Sequence, residues 1–204
     1  CATYSDVYAS LNYEGWDGIK TIVIDSASEL EAMAEADVVK NVKAPGGQAK
    51  SIEDYGFGKG YRHLYDAMDK IVQALERHSQ QGRHVILICH ECTSKVPNPM
   101  GENFIHYAPD LMDTNACSVR DRIKGWADHV LFVSYDVATK DGKGTGTGSR
   151  AIYTQERPMM LAKSRTISQT DIPFPAGDTS IWSLMFGSSD ADTNVGEPAK
   201  GEQK

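Results

Sequence analysis

The sequence has no long apolar run; nothing in it approaches the roughly 18 residues that a bilayer-crossing helix needs. Its first residues also lack the basic and apolar blocks of a secretory signal. The expectation is an intracellular protein with no membrane partner. Cysteine is sparse: Cys1, Cys89, Cys92 and Cys117 are the only four in 204 residues. That is too few to staple a chain of this size, so reduced thiols are expected. Basic charge is in deficit, 21 Lys and Arg against 28 Asp and Glu, for a net charge of −7. This excludes nucleic-acid binding spread over the whole surface and leaves room for a local basic groove.

A phosphate-binding loop of the form G-x-x-x-x-G-K-[ST] is also missing. Two stretches imitate it. In "GFGKG", 56–60, the lysine is followed by Gly60, where magnesium ligation needs Ser or Thr. The residues before it, "VKAPGGQAKSIE", are polar, whereas a buried strand must aim such a loop at its nucleotide. It reads as a flexible lead-in to a helix. In "GKGTGTGS", 142–149, the lysine sits at the wrong end and no helix follows, so it reads as a mobile loop.

What is present is ordinary soluble composition, 40% hydrophobic and 24% charged, enough for one sizeable core. A short helix through "SDVYASLNY" has Ser5 as its expected cap, and "KTIVID" reads as a strand buried on both faces. Ser26 then caps a helix through "SELEAMAEADVVKN". A long helix is expected over 61–80, with Leu64, Met68, Ile71, Val72 and Leu75 on one face. "HVILIC" is a second apolar strand, followed by an irregular loop over 93–113, a helix over 116–126 and a third apolar strand, "HVLFVSY". Strand, helix, strand, helix, strand implies an α/β fold with a mostly parallel sheet and helices on both faces. "RAIYTQE" and "PMMLAK" are expected to close it as an antiparallel ribbon turning at Arg157-Pro158, and the residues from 187 to 204 read as a disordered tail behind a core over 1–186.

Four places carry chemistry. "TIVIDS" is an apolar strand ending in Asp25 and Ser26, the pattern in which a strand-end carboxylate holds a nucleotide's magnesium; an aspartate that merely leads into the next helix gives the same letters. "HVILICHE" ends in His90 and Glu91 at the same carboxyl edge, where α/β ligands bind. Lys163 and Arg165, one residue apart after "PMMLA", point the same way on a strand and can address one anion. Cys89 and Cys92 form a C-x-x-C half-site for zinc, with Cys117 and His106 as the further ligands it would need.

In order, "KTIVIDSASEL", the long helix before "GRHVILICHE", "RIKGWADHVLFV" and "MLAKSRTISQTDIPFPAGDTSIWSLM" resemble the phage-encoded RecA-like ATPases of the Sak/AAA type, over residues 5–186. The resemblance implies a RecA-like three-layer fold, ATP and Mg2+ as ligands, and a role in phage recombination or single-strand annealing in the bacterial cytoplasm. It implies Asp25 as the magnesium carboxylate with Ser26 beside it, and His90 as a phosphate or water sensor next to Glu91. Asp128 opens the next strand, and Lys163 and Arg165 form a K-x-R element reaching phosphates held by a neighbouring subunit of a homo-oligomer. Single-stranded DNA or an annealing protein is the implied partner. In this family the phosphate loop lies upstream of the magnesium aspartate, and only 24 residues precede Asp25. A fragment lacking its phosphate loop, through a truncated frame or an intein junction at Cys1, is the expectation. The alternative is a non-catalytic α/β partner-binding module with a structural zinc at Cys89 and Cys92.

Overall fold

Ser26 accepts a hydrogen bond from the Glu29 amide, 3.2 Å, and so caps the helix that begins at the next residue. That helix, α2 (Ala27–Asn41), follows directly on strand β1 (Thr21–Asp25), so strand and helix share one corner. The protein is described by a computed structural model covering residues 1–98, 100–140 and 143–187, with the backbone alone at 136–140 and 143–148. The expected tail lies outside the described residues apart from Gly187.

The chain divides into two compact units, Cys1–Ala127 with Pro158–Leu161, and Asp128–Arg157 with the chain from Ala162 on. In the first, α1 (Tyr4–Leu11), preceding β1, is capped by Thr3 and not by the expected Ser5, because Thr3 and Asp6 satisfy each other's backbone in a capping box. After α2 come the two-residue strands β2 (Lys43–Ala44) and β3 (Gly47–Gln48), a 3-10 turn over Ile52–Tyr55, and the long helix α3 (Lys59–Gln80). All five apolar positions expected on one face of α3 are buried. Strand β4 (His84–Ile88) then pairs parallel with β1, in register from Thr21↔His84 to Asp25↔Ile88. A hairpin of β5 (Glu91–Val96) and β6 (Phe104–Pro109) leads to α4 (Val119–Trp126), whose N-cap is Ser118.

The α/β class is the one expected, with helices, a parallel pair and no closed barrel among the described residues. Three details differ. Ile22 and Ile24 of β1 face the core with Val85 and Leu87 of β4, yet Val23 is 53% and Ile88 44% exposed, so helices cover one face of the pair and not both. The residues over 93–113 are mostly hairpin, since "ECTSKV" and "FIHYAP" satisfy each other's backbones across a short connection. The third apolar run does not extend the parallel pair. It splits into β7 (His129–Val130) and β8 (Phe132–Lys140), the latter pairing antiparallel with β9 (Lys143–Tyr153), a near neighbour in sequence whose pairing costs less loop-closure entropy than a crossover.

In this second unit β7 also pairs antiparallel with β10 (Lys163–Ser164), and β9 with β11 (Asp171–Pro173), ahead of α5 (Ser180–Phe186). The expected turn at Arg157-Pro158 does not join two paired strands; Met160 instead bridges in parallel to Tyr107. The stretch expected to be a mobile loop is strand, Lys143 to Ser149 lying within β9, with Gly142 outside the described residues. Ile152, Ile167, Ile172 and Ile181 form the core of this unit.

Gly60, in the first turn of α3, touches the 3-10 turn so closely that a Cβ there would lie 1.9 Å from the Ile52 carbonyl oxygen. Gly→Ala within a helix ordinarily stabilises by up to about 1 kcal/mol. Here the obstacle is backbone, so the sign reverses: Gly60→Ala is expected to cost about 1–3 kcal/mol, read as a lowered urea midpoint at unchanged m.

Candidate functional site

The β1–β4 register sets Asp25 level with Ile88 at the carboxyl edge of the parallel pair, and the chain continues from there into Ser26 on one side and His90 and Glu91 on the other. Asp25, His90 and Glu91 are exposed, whereas Ser26 is buried. The Asp25–Ser26 peptide is cis. Four of the six site residues expected from the sequence thus meet at one corner. The Ser26 hydroxyl, expected both to cap α2 and to stand beside the magnesium carboxylate, is engaged as the cap.

Residues the sequence reading passed over hold this corner together. Ser28 Oγ, in the first turn of α2, accepts from the His90 amide at 3.0 Å, and the His90 carbonyl accepts from the Asp110 amide at 2.8 Å. Two residues on, the Met112 amide donates to both carboxylate oxygens of Glu31 on α2, at 3.0 and 2.8 Å. Arg120 of α4 closes the same loop, donating to the Pro109 carbonyl at 2.9 Å and the Leu111 carbonyl at 3.1 Å, and pairing with Asp113 at 3.0 Å. A signal for Glu31 was present. Positions 27, 31, 34 and 38 repeat at helical spacing, and Ala27, Ala34 and Val38 are buried, so an acid stands on the apolar stripe of α2. Burial raises the Glu31 carboxyl from 4.5 to about 7, opposed by the Met112 amide and reinforced by Asp110 and Glu35.

The four residues named for a zinc site are not gathered around one point among the described residues. Among the described residues no three His, Cys, Asp or Glu side chains are placed to hold a metal together. Cys92 Sγ receives Arg120 at 3.2 Å and faces the Pro109 carbonyl, Cys117 contacts Thr114, and His106 contacts the Pro158 carbonyl. Burial pushes the Cys89 thiol up to about 11.

For magnesium the donor chemistry fits: Asp25 is a carboxylate at a strand end, the hard oxygen ligand this ion takes. For phosphate the described residues offer no backbone cradle between a strand and a helix. The 56–60 stretch follows the 3-10 turn, as expected from its polar lead-in, and uses positive φ at Gly56 and Gly58 to turn into α3 with Phe57 fully exposed. One cavity of about 390 Å³ is lined by Trp16, Arg77, His78 and Arg83 among others. These residues precede β1 and β4, so it lies at the amino edge of the pair. Its guanidiniums are taken up by Asn12 and by the Trp16, Ile19 and Gln73 carbonyls, and ligands of open α/β sheets bind at the other edge.

Lys163 and Arg165 belong to the second unit, at β10 and just beyond it. Arg165 pairs with Asp128 at 2.5 Å, and its amide donates to the Asp128 carbonyl. With side chains 51% and 67% exposed, such a pair contributes at most about 1 kcal/mol, so an arriving anion can draw the arginine away. Ser164 Oγ contacts His129, whose imidazole burial shifts below its ordinary range.

An open α/β sheet with an acid, a serine and a histidine gathered at its carboxyl edge is the frame of a nucleotide-binding protein. Residues 5–166 match the AAA domain family, and the chain belongs to it, a family of P-loop ATPases. The matched span contains all six expected site residues. No curated protein and no solved structure matches the chain. No helix among the described residues is long and apolar enough to cross a membrane.

Ser26→Ala should lower stability by about 1 kcal/mol through loss of the α2 cap. Equilibrium urea unfolding checks this, and an unchanged midpoint would remove the hydroxyl from the capping role.

Proposed function

We propose that this chain is the Asp25- and His90-bearing part of an ATP-hydrolysing enzyme of phage DNA recombination or single-strand annealing. The observation that carries the reading is the β1–β4 register, which sets Asp25 beside the strand that delivers His90 and Glu91 to the same edge. Membership of the AAA domain family supports nucleotide as the ligand, and the resemblance to the phage enzymes supports the setting. In that setting the protein works in the cytoplasm of the bacterial host, as a homo-oligomer, on single-stranded DNA or with an annealing partner.

Asp25 would hold magnesium, with Ser26 fixing the turn on which that carboxylate stands. Magnesium held there would supply positive charge to the phosphates during hydrolysis. His90, exposed at the neighbouring strand end and anchored through its backbone, orients the attacking water or contacts the terminal phosphate; Glu91 borders the same edge. Water attacks the γ-phosphorus, the bond to the β–γ bridging oxygen breaks, and ADP and phosphate leave. Lys163 and Arg165, offered by an adjacent subunit, meet the charge that develops as the bond breaks, Arg165 exchanging Asp128 for phosphate.

In protein produced from its complete gene, Asp25→Asn should abolish the magnesium dependence of ATP binding, measured by titrating a fluorescent ATP analogue with and without chelator. Arg165→Ala should leave that binding intact and cut phosphate release by about 10³-fold or more. Wild-type turnover in Arg165→Ala would remove the arginine from the mechanism, and magnesium-independent binding in the wild type would sink the assignment of Asp25.

A further inference from the structure

Glu31 is the half-buried acid that the proposed chemistry leaves unused. It stands on α2, the helix whose N-terminal corner holds Asp25 and Ser26. Its carboxylate reaches across 81 residues of sequence to the Met112 amide. Two residues before Met112, the Asp110 amide grips the His90 carbonyl, while the His90 amide is gripped by Ser28, three residues before Glu31 on the same helix. The chain of contacts is closed: α2 to Met112, Met112 through Leu111 to Asp110, Asp110 to His90, and His90 back to α2. His90 is held at both its N–H and its C=O, and one of those holds depends on where the loop at 110–112 lies.

We propose that Glu31 is a positioning residue for the strand-end site: through Met112 and Asp110 it sets where His90 stands, and gain or loss of its proton moves that position. The proposal rests on the reading of His90 as a site residue. The charged groups around Glu31 are Glu35 on its own helix, Asp110 on the loop and Arg120 on α4, with the Cys89 thiol on the chain just past β4. Two acids and burial oppose its charge, and one guanidinium and one amide favour it, which places its titration near neutrality. Deprotonated, it accepts from Met112 in a charge-assisted bond through both oxygens; protonated, it keeps a neutral acceptor and turns one oxygen into a donor. The change is felt at the loop that holds His90.

The sign for stability follows from the direction of the shift. Between the unfolded value of 4.5 and the folded value of about 7, the folded chain holds a proton that the unfolded chain has released. The stabilisation is complete below the lower value and is lost as pH rises through the upper one.

The test is a pH titration from about 3.5 to 9 of amide resonances in the 15N-labelled chain carrying His90→Gln, so that no imidazole titrates beside the reporters. The expected result is that the amides of Met112, Asp110 and position 90 move together with one midpoint near 7, and that Glu31→Gln in the same background removes that transition from all three. Glu31→Asp, a shorter acid, should displace the Met112 resonance and the other two with it. Movement of Met112 alone, or a midpoint at the ordinary carboxylate value, overturns the proposal, because a purely structural glutamate would not reach position 90. No nucleotide is present, so this failure leaves the ATPase reading standing, and a failure of magnesium-dependent ATP binding leaves the coupling standing.

Discussion

The parallel pairing of Thr21–Asp25 with His84–Ile88 is the constraint on which the first unit depends. Parallel neighbours need a long crossover, and here α2 and α3 supply it, burying Leu30, Ala34 and Val38 against Leu64, Met68 and Leu75. A two-stranded sheet is marginal by itself. What makes this one persist is that Ile22, Ile24, Val85 and Leu87 join the helical core on one side. The same pairing brings two strand ends level, and every polar residue of the candidate site in this unit is placed by that fact.

The second unit is organised by a different rule. Its strands pair with near neighbours in the sequence, β8 with β9 and β9 with β11, and the two cations named for the candidate site, Lys163 and Arg165, sit at and just beyond β10 against the short β7. Lys163 is half-buried beside Val130, and Arg165 is tethered to Asp128 on the surface. A surface ion pair of this kind holds a guanidinium in a defined place at little energetic cost, which suits the partner exchange proposed for Arg165.

Much of this was legible from residue order. Asp25 and His90 were readable because each ends an unbroken apolar run, and α2 and α3 because a serine cap and a clean helical stripe announce them. The hairpin at 91–109 was hidden because Pro97 and Gly101 look like irregular chain, whereas they occupy the connection between two strands. The third apolar run was misread because periodicity reports burial and not the direction of a partner. Lys163 and Arg165 could be seen as a pair, but that Asp128 meets the arginine is a consequence of β7 and β10 lying side by side, which no local pattern encodes. Asp110 and Met112 were invisible because they act through backbone amides that nearly every residue type carries, and Ser28 because its hydroxyl meets a backbone amide 62 residues away in sequence. Glu31 was visible as an acid on an apolar stripe.

The uncovered face of the β1–β4 pair bears on how the protein behaves in concentrated solution. Neither strand has a second ladder partner among the described residues, and Val23 and Ile88 show apolar surface beside those open edges. Backbone donors and acceptors in a row, next to exposed branched side chains and with no proline to interrupt them, are a template for strand addition from another chain. Such a patch favours self-association that grows with concentration, against the net negative charge of −7 that keeps molecules apart.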